Sequence, residues 1–239
     1  MITISVAGLP IGLDNRFPYL AEHCRDYLTD RPAEFTVSVT DDEIRQERAA
    51  SAETGLTFSD GYLESIVSYR KIAERLPAYR ACVFHGAVLE LDGNAYAFAA
   101  KSGTGKTTHI RLWQQVFGDR VRILNGDKPI LRLTDGRIYA CGTPWRGKEC
   151  YGENRIAPLR AIAFLERADT DRAEPLSPAL AVAPLLSQCY MPHTPQAVAK
   201  TLELADTVLR SVRPFRLFCT MDENAARVAA RAMCAPEAD

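Results

Sequence analysis

Between Ala100 and Thr107 the chain reads Ala-Lys-Ser-Gly-Thr-Gly-Lys-Thr, a spacing suited to wrapping backbone around an anion. Gly103 and Gly105 permit a tight turn whose N–H groups point inward at phosphate oxygens. Lys106 would bring positive charge toward the outer phosphates, and the Thr107 hydroxyl can sit on a Mg²⁺. The residues after Lys106 (Thr-Thr-His-Ile-Arg-Leu-Trp-Gln-Gln-Val-Phe) read as a helix, so the loop lies at a positive helix N-terminus. Ala100 stands where such loops usually carry their first glycine. A glycine-rich turn before a helix is the bland alternative, but strand, loop and helix follow in the order that phosphate binding demands. Ser102, Gly103, Thr104, Gly105, Lys106, Thr107 and Thr108 are therefore expected to hold the phosphates of a nucleotide.

Phosphoryl transfer needs a metal, an acidic residue and often a further cation near the acceptor. Asp127 is the candidate acid. It follows a predicted strand, Val121 to Leu124, and would emerge at the same sheet edge as Thr107 if that strand pairs beside the one feeding the loop. There it could bind Mg²⁺ or accept the proton of an attacking hydroxyl; the plainer reading makes Asn125-Gly-Asp only a turn. Lys128 adds a second charge. His85, with Gly86 after it, reads either as a hydrogen-bonded core histidine or, from its place near the loop's strand, as a group that orients the acceptor. Arg146 and Lys148 sit in a Gly/Pro-rich loop where they could neutralise the transferring phosphoryl, or form a solvated charged turn. His109 shares a helix face with Lys106 and reads more readily as a packing residue. His23 and His193 carry no signal, and no metal-ligand spacing is visible.

The elements that must position these groups follow from periodicity. Ile2 to Val6 and Glu34 to Thr40 alternate as strands, with a short helix, Phe17 to Leu28, between them. Asp41 to Thr54 is charged, a solvated helix or loop. Ser59-Asp60 caps an amphipathic helix that Pro77 ends. Val83 to Leu91 and Ala95 to Ala99 form a hairpin around Asp92-Gly93-Asn94, so an antiparallel arm leads into the loop. Ile130 to Leu133 and Ile138 to Cys141 form a second hairpin, and Leu159 to Leu165 is a buried strand. Ala168 to Glu174 reads as a charged linker. Helices at Pro178 to Cys189 and Pro195 to Arg210, a strand at Phe215 to Cys219, and a helix from Asp222 to Met233 complete the chain.

With 239 residues and a net charge of −1, the chain can bury one good core and has no basic field for nucleic acid or an anionic membrane. Its seven cysteines are scattered and unpaired by motif, which suits free thiols in a reducing compartment. With no leader-like start and no long apolar run, the expectation is a cytoplasmic protein without membrane partners.

Ser102 to Thr108 resembles the phosphate loop of phosphoenolpyruvate carboxykinase, and His85-Gly86, hairpin, loop and a strand ending in an aspartate resemble the order in HPr kinase. Thr108-His-Ile-Arg-Leu-Trp113, Gly126-Asp-Lys-Pro129 and Gly142-Thr-Pro-Trp-Arg-Gly-Lys148 are similar to the pattern of short bacterial HPr-kinase-like proteins. The resemblance implies an α/β fold with an α+β tendency: a carboxykinase-like P-loop core, a mixed, largely antiparallel sheet and C-terminal helices. It divides the chain into a small N-terminal α+β segment (1–80), a kinase core (81–170) and a helical extension completing the same domain (171–239). Gly126 replaces the first of two adjacent acids found in both relatives, and the HPr kinase signature Arg-Gly-x-Gly-Ile-Ile-Asn is missing, so HPr as substrate is not expected.

The implied function is an ATP-dependent kinase using Mg²⁺, with a hydroxyl-bearing small molecule or a peptide serine as acceptor. Asp127, His85, Lys106, Arg146 and Lys148 carry the chemistry, with Thr107 and Asp127 on the metal. A nucleotide-binding regulatory module without transfer, or a carboxykinase-like enzyme, are the alternatives. The C-terminal helices could form a lid or an oligomer contact.

Overall fold

Alternation of side chains across a single strand pair explains most of this architecture. In the strand Asn94–Ala99, Tyr96 and Phe98 face one way while Ala95, Ala97 and Ala99 face the other, and all five are buried. A strand apolar on both faces must be covered on both. The computed structural model, which describes residues 1–52 and 55–235, shows how.

In chain order the elements are β1 (Ile2–Val6), β2 (Leu9–Asp14), α1 (Pro18–His23), β3 (Phe35–Ser38), α2 (Asp41–Ala52), α3 (Asp60–Arg75), β4 (Ala81–Val83), β5 (Ala87–Leu91) and β6 (Asn94–Ala99). They continue with α4 (Lys106–Phe117), β7 (Val121–Asn125), β8 (Ile130–Thr134), β9 (Arg137–Cys141), β10 (Ile156–Arg167), β11 (Arg172–Pro175), α5 (Pro178–Leu186), α6 (Pro195–Ser211), β12 (Arg213–Cys219) and α7 (Glu223–Met233). Among the described residues β1, β2 and β3 form a small sheet. The other nine strands form one curled, mixed sheet in the order β4-β8-β9-β10-β6-β5-β7, with β12 on β10 and β11 on β12. The fold is mixed α/β.

The long strand β10 joins the sheet's halves. Its first residues, Ile156 to Pro158, pair antiparallel with β9; farther along it runs parallel to β6 and to β12. One face carries α4 and α7 over Trp113, Phe98, Leu89 and Leu217. The opposite face carries α5 and α6 over Val88, Leu124, Leu204 and Val208. A third core joins the small sheet to α1, α3 and the start of β8, and takes in Trp145.

Several elements depart from the sequence expectation. Leu9–Asp14 is a strand, made by a turn in which Ala7 and Gly8 both take positive φ. The expected helix at 17–28 shrinks to α1 and a single 3₁₀ turn at Arg25–Tyr27. The charged stretch after 40 is the helix α2; Glu53 and Thr54 lie outside the described residues. Helix α3 begins where expected, with the Ser59 hydroxyl accepting from Tyr62 N. The first hairpin arm is broken at Phe84–Gly86, so that β4 pairs with β8 while β5 pairs with β6 and β7. The supposed charged linker leads into β11, an outer strand on β12 in which the charged Arg172 and Glu174 alternate with Ala173 and Pro175.

Candidate active site

Strand β6 ends at Ala99, and the chain then bends through Gly103 (φ +79) and Gly105 (φ +119) before α4 starts at Lys106. At both glycines a Cβ would meet nothing within 4 Å, so backbone conformation rather than space demands glycine there. Within the loop Thr104 N donates to Lys101 O, and His109 N closes the first helical bond onto Gly105 O. Among the described residues, the N–H groups of Gly103, Gly105, Lys106, Thr107 and Thr108 donate to no protein acceptor. They are the free donors that an anion at a helix N-terminus requires. Lys106 is buried and donates from Nζ to Ala100 O at 2.9 Å, spanning the base of the loop. Burial pushes its pKa down, the charge of Asp127 opposes that shift, and Lys128 adds to it.

Asp127 does not come from the strand next to β6. Strand β7 lies one position farther out, on β5. Asp127 is brought back by a turn built on Asn125, which is wholly buried. Asn125 Oδ1 accepts from the backbone N–H of Asp127 (2.8 Å) and of Lys128 (2.7 Å). Its Nδ2 donates to Thr143 O, Thr143 Oγ1 and Trp145 O. Asp127 O in turn accepts from Gly86 N, which fixes the His85 segment against it.

His85 Nε2 lies 3.4 Å from Asp127 Oδ1, and Lys128 Nζ lies 3.7 Å from Oδ2. Burial raises the Asp127 pKa, but the contact with His85 and the charges of Lys128, His85 and Lys106 outweigh it. The carboxyl therefore titrates below the ordinary aspartate range. Lys106 and Asp127 each feel the other's charge, so the loop and the acid share one electrostatic environment.

The loop after β9 closes over this cluster. A Cβ on Gly147 (φ +74) would sit 2.9 Å from Asp127 Cβ. Trp145, which the sequence offered as part of a polar loop, is buried, lies tilted with its ring centroid 5.4 Å from that of Tyr69, and donates to Ser65. Arg146 departs from its expected role: its guanidinium donates to Gly152 O and lies 3.7 Å from Asp26, so it fastens the loop rather than facing the cradle. Lys148 is exposed, its ammonium without a partner among the described residues, and its carbonyl accepts from the exposed Cys150 Sγ. His109 packs, as its spacing suggested. It is 2 % exposed, accepts from Trp113 Nε1 at 3.0 Å, and burial lowers its pKa to about 4 against an opposing pull from Asp171.

The structure thus brings together Lys106, Asp127, His85 and Lys128 with the amides of residues 103–108. Three contributors escaped the sequence. Asn125 read as turn chemistry, and its place two residues before the acid was the available signal. Tyr69, beside Trp145 and within the field of Asp127, read as a core position on α3. Arg167, at the end of β10, carried no signal.

Among the described residues no group of three or more His, Cys, Asp and Glu side chains could hold a metal alone. A hydroxyl and a single carboxylate, as at Thr107 and Asp127, are donor types that suit a Mg²⁺ sharing its shell with phosphates and water. No helix among the described residues is long and apolar enough to cross a membrane.

No protein-family model matches the chain, and no curated protein matches it. Among solved structures, the HPr(Ser) kinase/phosphatase from Coxiella burnetii superposes with a TM-score of 0.37 at 7% identity, covering 64% of this chain and 99% of that one. An overlap that loose carries no argument about function, which has to stand on the site.

Proposed function

We propose that this chain is an ATP- and Mg²⁺-dependent phosphotransferase that moves a γ-phosphoryl group to a hydroxyl acceptor. The carrying observation is the set of unpaired amides around Lys106 with the His85–Asp127 pair in the same electrostatic field. An anion cradle alone would suit any phosphate binder. An ionised, histidine-braced carboxylate coupled to its lysine is what transfer chemistry adds.

In this reading the amides of Gly105 to Thr108 and the Lys106 ammonium bind the β- and γ-phosphates and spread their charge. Thr107 and Asp127 would hold Mg²⁺, which neutralises phosphate charge when bound. The low pKa of Asp127 keeps it ionised at neutral pH, so it accepts a hydrogen bond from the acceptor hydroxyl and receives its proton as the oxygen joins phosphorus. The bond from γ-phosphorus to the bridging oxygen breaks, and ADP leaves. His85 fixes the carboxylate's orientation. Lys128 offsets charge beside it, and Lys148 is free to meet the acceptor from the loop. The acceptor is a small molecule or a peptide serine.

Gly126 favours a second reading, a nucleotide-binding module without transfer. The position carries no carboxylate, and a Cβ there would only reach ordinary contact with Arg146 O and Tyr151, at 3.4 to 3.5 Å. The test is incubation with γ-labelled ATP, Mg²⁺ and panels of hydroxy metabolites and serine peptides, with Asp127→Asn alongside. Label should reach an acceptor, and the variant should lose at least about 100-fold in rate while still binding ATP. Tight ATP binding with label in no acceptor would favour the module. Undiminished turnover by Asp127→Asn would remove that residue from the chemistry.

A further inference from the structure

We infer that Arg167 is a positioning residue for the phosphate cradle: its guanidinium holds two consecutive peptide planes of the loop so that the Gly105 amide faces the anion. The inference rests on the phosphate-binding reading of that loop.

Strand β10 lies parallel to β6 with Phe164 opposite Ala99, the residue at which the cradle leaves the sheet. Because β10 runs on to Arg167, its last side chain stands level with the bend. Arg167 Nε donates to Thr104 O at 3.1 Å, and Nη2 donates to Gly103 O at 2.5 Å. A planar fork serving two adjacent carbonyls is a contact that arginine can make and lysine cannot. Glu166, Asp169 and Asp171 are close in sequence, yet among the described residues Arg167 forms an ion pair with none of them.

Trans peptides carry C=O and N–H on opposite sides. Holding the Thr104 carbonyl toward β10 turns the Gly105 N–H away from it, into the space that the other free amides face. Holding the Gly103 carbonyl turns the Thr104 N–H inward to its bond with Lys101 O. Thr104 lies between two glycines at positive φ, the softest hinges in the segment. Without the fork nothing else among the described residues bonds to these two carbonyls. The donors would then have to be ordered when the nucleotide arrives, which weakens binding.

Arg167→Ala and Arg167→Lys separate orientation from charge. ATP with Mg²⁺ is titrated calorimetrically into each protein, and amide exchange over residues 101–108 is followed by mass spectrometry without nucleotide. Both variants should bind about tenfold more weakly than the parent, the loss of roughly one net charged hydrogen bond. Both should exchange faster over the loop, and millimolar guanidinium should restore affinity to Arg167→Ala. Parental affinity in Arg167→Lys would reduce the residue to a rim charge, and parental affinity and exchange in Arg167→Ala would remove it altogether. If Arg167→Ala fails to fold, Arg167→Lys decides. Should the unaltered protein take up no nucleotide, the phosphate reading fails by itself. Arg167 is then judged on exchange: quicker in the variants supports the positioning role, unchanged sinks it.

Discussion

Asn125 illustrates how one buried side chain can shape a candidate site. Its side chain caps the amides of Asp127 and Lys128 on one side and ties down Thr143 and Trp145 on the other, so one buried amide sets both the acid and the loop above it. His109 is its counterpart beneath the cradle. Its pKa of about 4, against about 6.5 unfolded, means that the unfolded chain binds more protons between those values. Stability therefore rises with pH through that window and falls on acidification from neutrality. By pH 5 the histidine should have cost about 2 kcal/mol, so urea midpoints of the parent should fall more steeply between pH 7 and 5 than those of His109→Gln. Equal slopes would show that His109 titrates normally.

At the scale of elements, two glycines with the same φ of +74 make a controlled pair. A Cβ at Gly136 meets open space, whereas one at Gly147 meets Asp127 Cβ at 2.9 Å. Alanine at either should cost about 1 to 2 kcal/mol of backbone strain. Only Gly147→Ala should also lower the transfer rate, by displacing the acid while leaving ATP affinity intact. Equal activity in the two variants would mean that the loop does not set the position of Asp127. Such elements were legible in the sequence to different depths. The glycine bend before α4, the hairpin ahead of it and the cap of α3 were readable because each is coded by residues adjacent in the chain. Strand β2 was not, since Leu-Pro-Ile-Gly-Leu-Asp carries a proline and a glycine that argue against a strand. Nor was the role of Arg146: a guanidinium in a polar loop looks the same in sequence whether it faces a phosphate or, as here, Gly152 and Asp26. Asp127 stands out in the sequence as the acid that ends a strand, but that strand pairs with β5, a non-local choice that no short window contains.

Across the whole molecule, the helix that follows the loop packs against the far end of the chain. Helix α4, whose N-terminus carries the free amides, packs against α7 through Ala225, Ala226 and Ala229, all fully buried. Small residues let the two helices approach closely. Ala226→Leu should overpack that contact, destabilising the protein by about 1 to 3 kcal/mol and weakening ATP binding as α4 shifts. Reduced stability with unaltered affinity would show that the cradle is insulated from α7.

The way β10 is shared has a consequence for how the chain is made. Its parallel neighbours β6 and β12 lie far from it in sequence, one before and one after, so neither pairing forms through a local hairpin. On a translating ribosome, the edge of β10 that β12 will occupy stays open until Arg213–Cys219 clears the exit tunnel. Until then the newborn protein presents an apolar ribbon of unpaired peptide groups, an invitation to clump with its neighbours that chaperone cover would have to bridge.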